Sequence, residues 1–247
     1  METRNRTNLL LTAVCYTKKA CLPLFFCLLP VAAIGQNMRY DTIRYAKVYY
    51  QKRVAAFNSE KVVKYKIIFL GNSLTQFGDW SKLLGDSTIL NRGIAGDNTY
   101  GVLARLNDIM IRKPGKLFIE IGINDISQNI PQQIISKNIL SIVKQVHKNS
   151  PGTQVYITSI LPTNDNVKTE YPASYHKNKQ INFINSELMR HADAINYTYI
   201  DLNKQVKDKK GDLDIKYAKP DGIHLNQLGY GIWVKLINME IIHHAKK

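Results

Sequence analysis

Cysteine is nearly absent from this 247-residue chain, and its three copies, Cys15, Cys21 and Cys27, all fall within the first 35 residues. A leader removed from that end takes every thiol with it. What remains has no disulfide, no thiol nucleophile and no thiolate metal site, so a domain of about 210 residues must be held by its apolar core. Negative charge is also scarce, with 19 Asp and Glu against 34 Lys and Arg, for a formal charge of +15. Without Glu2, Arg4, Arg6, Lys18 and Lys19, thirty basic and eighteen acidic residues leave +12. The lysines are dispersed, however, and only "KDKK" at 207 to 210 approaches a cluster. No interleaving of basic and aromatic residues accompanies them, so a solvated basic surface is expected rather than a nucleic-acid partner. A weak attraction to anionic polysaccharide or cell envelope fits the same charge. Long hydrophobic runs are missing too. The longest, "ACLPLFFCLLPVAAIG" at 20 to 35, falls short of the roughly 20 apolar residues that span a bilayer.

That run follows basic residues and ends in small ones, the order of a secretory signal peptide. Residues 1 to 35 are therefore expected to be a leader cleaved before Gln36, with a retained anchor as the alternative. The mature protein is then secreted or periplasmic, without stable membrane insertion. Residues 36 to 247 contain no repeat and no low-complexity linker, so they read as one domain. Its first part, 36 to 60, has helical spacing and no breaker, and is expected to pack as an amphipathic helix on the outside.

Apolar runs at 66–71, 88–93, 116–122, 153–160 and 196–201 read as strands, and 98–112, 131–149, 177–194 and 226–243 as helices. Strands that are apolar throughout, separated by helices, imply an α/β domain with a parallel sheet covered on both faces. Ligands of such sheets sit where the carboxyl ends of the strands meet their loops. The residues at those ends are Gly71-Asn72-Ser73, Gly93 to Asp97 and Gly122 to Asp125.

Taken singly, each of these motifs has a structural explanation. Ser73 can cap a helix, Asp97 or Asn98 can cap the next, Asn124 and Asp125 can bond their own backbone, and His224 in "DGIHLNQLGY" can lie exposed in a turn. Taken together they meet the needs of acyl transfer: a nucleophile, a base, a carboxylate to orient it, and donors for an oxyanion. Asp221 and His224, three apart, can place a carboxylate on one imidazole nitrogen while the other faces Ser73. Asn124 offers an amide, and Gly96 a backbone N–H with no side chain in the way.

In these blocks the chain resembles the SGNH hydrolases, the GDSL-type esterase superfamily: "GNSLT" with Ser73, "NRGIAGDNTYGVLARL" with Gly96, "IGIND" with Asn124 and "DGIHLN" with Asp221 and His224. The resemblance spans residues 66 to 233 and implies a flavodoxin-like three-layer α/β/α sandwich with a five-stranded parallel sheet. It also implies hydrolysis through an acyl-serine, with catalytic Ser73, Asp221 and His224 and an oxyanion hole of Ser73 N–H, Gly96 N–H and the Asn124 amide. No metal and no organic cofactor are expected. Asn72 replaces the usual Asp of the first block, keeping an acceptor oxygen but not its charge. Asn72, Asp97 and Asp125 are expected to brace the loops around the site.

Within the superfamily the wording is most similar to the branch of platelet-activating-factor acetylhydrolase-like and sialate O-acetylesterase-like proteins. The resemblance implies a small-molecule or glycan ester as substrate, with short acyl groups removed from carbohydrate. A lipid or phospholipid acyl esterase and a noncatalytic carbohydrate-binding relative are the alternatives. Trp80 is a candidate for stacking on a sugar, or else a buried aromatic beside the site. The polar segment 162–178 is a candidate for the pocket rim, or else a plain surface loop. Nothing in the sequence fixes an oligomeric state.

Overall fold

The structure is a computed structural model that describes residues 46–64 and 67–244. The expected leader, and residues 36 to 45 of the expected first helix, lie outside the described residues. Five strands form one all-parallel sheet: β1 (Ile67–Gly71), β2 (Leu90–Gly93), β3 (Lys116–Glu120), β4 (Gln154–Thr158) and β5 (Thr198–Ile200), in the order β2-β1-β3-β4-β5. The chain order reverses at β1, and this is where neighbouring connections part and leave a crevice at the strands' carboxyl ends.

Alternation along each strand sends successive side chains to opposite faces. Ile68, Leu70, Leu117, Ile119, Val155 and Ile157 point one way, into a core shared with Ile135, Ile139, Ile142, Val143 and Val146 of α7 (Gln132–Asn149) and Ile181, Ile184 and Leu188 of α8 (Asn178–Ile195). Phe69, Phe118 and Tyr156 point the other way. They are register partners on β1, β3 and β4, and their rings stack in a row with centroids 4.8 and 4.5 Å apart. Trp233 of α9 (Gln227–His244) and Trp80 of α3 (Trp80–Leu84) close over that row. The result is a three-layer α/β/α sandwich. Each fully buried Ile, Leu or Phe contributes roughly 1.5–3 kcal/mol of apolar transfer, and both faces of the sheet carry a row of them.

Two expectations are corrected in detail. The helix expected over 98–112 is two, α4 (Thr99–Ala104) and α5 (Leu106–Arg112), parted at Arg105. The Arg105 side chain leaves the helical surface to bond Asp97 and the Gly71 carbonyl. The first helix, α1 (Lys47–Ser59), has no apolar stripe, since Phe57 is its one buried residue. It is held instead by polar reach: Arg112 Nη2 donates to Phe57 O (3.0 Å) and Nη1 to Lys61 O (2.9 Å), while Tyr50 Oη donates to Gly101 O (2.7 Å). A buried cluster of Arg92, Asp108 and Arg112, reaching out to Glu60, completes that contact.

Candidate active site

β1 ends at Gly71, and the chain turns at once into α2 (Ser73–Gln76). Asn72 caps that turn, its Oδ1 accepting from Leu74 N at 2.9 Å. This leaves Ser73 half-buried at the carboxyl edge of the sheet, where Leu74 and Thr75 are buried behind it. The acceptor oxygen that Asn shares with Asp is therefore in use, while Asn72 Nδ2 is buried without a partner among the described residues.

On the far side of the crevice, Asp221 folds its own turn. Its Oδ1 accepts from the backbone N–H groups of Ile223 (3.0 Å) and His224 (2.9 Å). Its other oxygen lies 2.7 Å from His224 Nδ1, and His224 Nε2 lies 2.9 Å from Ser73 Oγ. Burial pushes the Asp221 carboxyl up, but the two N–H bonds and the imidazole outweigh it and hold it below the usual carboxylate range. The carboxylate is thus ionised and fixed beside the ring. His224 is buried, its ring flanked by Phe77 (centroids 5.3 Å apart) and by Tyr171 edge-on (5.7 Å).

Two further loops bring N–H donors. Gly96 has φ +81°, a conformation that favours glycine, and its backbone N–H has no acceptor among the described residues. The same holds for the N–H of Ser73. Gly122, with φ +139°, turns the chain from β3 into α6 (Ile123–Ser127), and a Cβ there would stand 2.3 Å from Ile160 Cδ1. That tight turn sets Asn124 on the crevice wall, where its Nδ2 donates to Asp97 O at 2.8 Å.

The loops are braced from behind. Asp97 is buried, its Oδ2 2.8 Å from Arg105 Nε, and Arg105 Nη2 donates to Gly71 O at 3.1 Å. Burial pushes the Asp97 carboxyl up to about 6, against the pull of Arg105. Asp125 accepts from Thr99 N and from Thr99 Oγ1 at 2.5 Å, tying α6 to α4. Burial raises it to about 7, the Thr99 bonds opposing and Asp97 adding repulsion. Neither carboxylate lines the crevice.

The crevice is a cavity of about 670 Å³ whose walls include Ser73, Gly96, Asn124 and His224. Most of its other lining is apolar or aromatic: Leu74, Phe77, Ile123, Tyr171, Pro172 and Ile223. The segment 162–178 does reach it, through Glu170 to Ser174. Ser174 Oγ and Ser127 Oγ, 2.6 Å apart, fasten that rim to α6.

Trp80 takes the buried of its two expected places. It is 1% exposed, stacked on Phe69 at 4.0 Å, with Nε1 donating to Thr75 O, so no ring face is left for a substrate. Phe77, 47% exposed, and Tyr49 of α1 also line the cavity with aromatic rings, and sequence reasoning missed both. Phe77 lies outside the quoted blocks, and the helical spacing of 36–60 does not mark Tyr49 for a cavity.

A rat protein named platelet-activating factor acetylhydrolase IB subunit alpha1 is 29% identical over 175 residues, covering 67% of this chain and 70% of its own. A GDSL-like lipase from Bacteroides thetaiotaomicron shares the fold, with TM-score 0.68 and 22% identity over 79% of this chain and 98% of that one. So does an acetyl xylan esterase, with TM-score 0.58 and 18% identity over 71% and 99%. Residues 69–232 match the model of the GDSL-like Lipase/Acylhydrolase family, and the chain belongs to that family of carboxylic ester hydrolases.

Proposed function

We propose that the protein is a secreted serine esterase that removes short acyl groups, acetyl foremost, from carbohydrate hydroxyls through an acyl-serine intermediate. The observation that carries this reading is the chain of contacts from Ser73 Oγ to His224 Nε2 (2.9 Å) and from His224 Nδ1 to Asp221 Oδ2 (2.7 Å). His224 takes the Ser73 proton as Oγ bonds to the ester carbonyl carbon. The carbonyl oxygen becomes an oxyanion facing Ser73 N–H, Gly96 N–H and the second N–H of Asn124. The C–O bond to the alcohol then breaks, and His224 returns the proton to the leaving oxygen. Water, deprotonated by the same imidazole, attacks the acyl-serine and releases the acid. Asp221 holds the ring so that Nε2 faces the serine, and stabilises the imidazolium.

Two named relatives, an acetylhydrolase and an acetyl xylan esterase, differ in the alcohol and agree in the acyl group, which supports acetyl as the group removed here. An acetyl group fills little of a 670 Å³ cavity, so most of that space is left for the alcohol. Aromatic rings in its wall, Phe77 and Tyr171, suit the apolar faces of a sugar ring. The apolar walls favour a second reading, an acetyl ester of a lipid alcohol. The deciding experiment is acetate release from acetylated xylooligosaccharides and from an acetylated alkyl-glycerol lipid, with Ser73→Ala as blank, alongside labelling by a fluorophosphonate. Labelling at Ser73 with preferential release from the sugar supports the proposal. Labelling with preferential lipid cleavage replaces the substrate, and absence of labelling removes the serine mechanism.

A further inference from the structure

Helix α1 precedes the segment 69–232 that matches the family, yet it supplies part of the cavity wall. Ala46, at its N-cap, and Tyr49, three residues on and on the same side of the helix, both line the space that opens on Ser73. Ala46 is buried against the Gly96 turn so closely that a Cβ on Gly96 would lie 2.7 Å from its methyl. Tyr49 Oη accepts from Gln76 Nε2 at 2.7 Å, and Gln76 Oε1 accepts from Ala95 N at 2.7 Å. Gln76 belongs to α2, which begins with Ser73, and Ala95 adjoins Gly96. One amide side chain therefore joins the helix of the serine, the loop of the glycine donor, and α1. Along the rest of α1, Arg53 reaches toward Gly93 O, Tyr50 bonds Gly101 O and Arg112 bonds Phe57 O, so the helix is fixed against the site along its length.

Tyr49 itself is 39% exposed, too open for a core residue. It is tethered at its hydroxyl, which holds a ring at the wall of a cavity larger than an acetyl group needs. A ring held this way contacts what extends beyond the reacting ester. We infer that Tyr49, on a helix outside the family-matched core, is a specificity-determining residue that contacts the carbohydrate alcohol of the substrate. The inference rests on the esterase reading above and adds to it a named contact for the sugar. The ring of Tyr49 does not touch the reacting atoms, so it contributes to binding in ground and transition state alike. Such an interaction appears in KM rather than in kcat.

The test compares wild type, Tyr49→Ala and Tyr49→Phe on two esters of one acyl group: acetylated xylooligosaccharide and ethyl acetate, whose alcohol is too small to reach the ring. Loss of one aromatic contact corresponds to about tenfold in binding. Tyr49→Ala is expected to raise KM for the oligosaccharide about tenfold, leaving kcat and all ethyl acetate kinetics within about twofold. Tyr49→Phe keeps the ring, loses the tether, and is expected to retain most of the oligosaccharide KM. Far-UV circular dichroism and melting temperature confirm that both variants fold. An equal change on both esters, or no change on either, overturns the inference while leaving the esterase reading intact. Wild-type protein that does not label at Ser73 with a fluorophosphonate overturns both, and wild-type protein that labels yet spares the sugar ester overturns the inference with the substrate assignment.

Discussion

The Asn124 side-chain amide donates one proton to the main-chain carbonyl of Asp97, at 2.8 Å. That bond locks the rotation of the amide and leaves its second proton for the cavity, which Asn124 lines. On the proposed mechanism this second N–H meets the oxyanion. Asn124→Ala is expected to lower kcat about 100- to 1,000-fold with KM little changed, since one donor of an oxyanion hole contributes that much. Asn124→Asp is expected to do no better, because a carboxylate there would face both the Asp97 carbonyl and the developing charge. Steady-state kinetics on ethyl acetate reads both variants. Activity within threefold of wild type in Asn124→Ala would remove the residue from the hole.

Asp221 combines two tasks that one substitution separates. An Asn in its place keeps an Oδ1 acceptor for the N–H groups of Ile223 and His224, so the turn survives. Its Nδ2 would then donate to His224 Nδ1, leaving the proton on Nε2 and the ring unable to accept from Ser73. Asp221→Asn is expected to lower kcat by about 10,000-fold with little loss of stability. The check is a thermal melt alongside turnover. A large fall in melting temperature would mean that the carboxylate is chiefly structural.

Much of this site was legible because its parts announce themselves chemically. Parallel strands buried on both faces read as unbroken apolar runs, and their carboxyl ends show as abrupt Gly and Asn. The same logic overran the strands by a residue or two at an end, since a run such as 153–160 continues past the last ladder bond into buried loop at Ser159 and Ile160. The break at Arg105 could not be read, because it depends on Asp97 and Gly71 being near in space. Trp80 was ambiguous for a related reason. An aromatic after a turn reads alike whether it faces a cavity or, as here, fills the space between Phe69 and Trp233. Helix α1 misled most, since its spacing is helical but its attachments are hydrogen bonds to partners more than 30 residues away.

Glu120, at the end of β3 beside Gly71, is buried, and neither carboxylate oxygen has a partner among the described residues. Burial raises it from 4.5 to about 8. Between those values the folded protein holds a proton that the unfolded chain has released, so stability is full below about 4.5 and falls as pH rises to about 8. Glu120→Gln removes the ionisation and keeps the shape. Relative to wild type it is expected to gain nothing near pH 4 and on the order of a few kcal/mol near pH 8. Urea unfolding across that range measures the difference. A constant offset with no pH slope would mean that the Glu120 carboxyl titrates alike in both states.

Arg105 holds the loop of Gly96 to the end of β1, with one nitrogen on Asp97 and another on Gly71 O. Both side chains of the pair are buried, so their attraction is offset by desolvation, and the pair adds little net stability. Removing one partner is different in kind. Arg105→Leu leaves the Asp97 carboxylate alone in the interior, at a cost of about 3–5 kcal/mol at neutral pH. The penalty is charge-borne and disappears when Asp97 is protonated. Arg105 already opposes a carboxyl raised from 3.8 to about 6, and without it the folded value moves higher. Stability of the variant should therefore be close to wild type near pH 4 and diverge as pH rises. Adding Asp97→Asn to Arg105→Leu is expected to recover much of the loss, because the unpaired charge is then gone. Urea melts of the two single variants and the double at pH 5 and pH 8 measure the coupling. Additive losses, equal at the two pH values, would show that Arg105 acts by packing and its bond to Gly71 O rather than by neutralising Asp97.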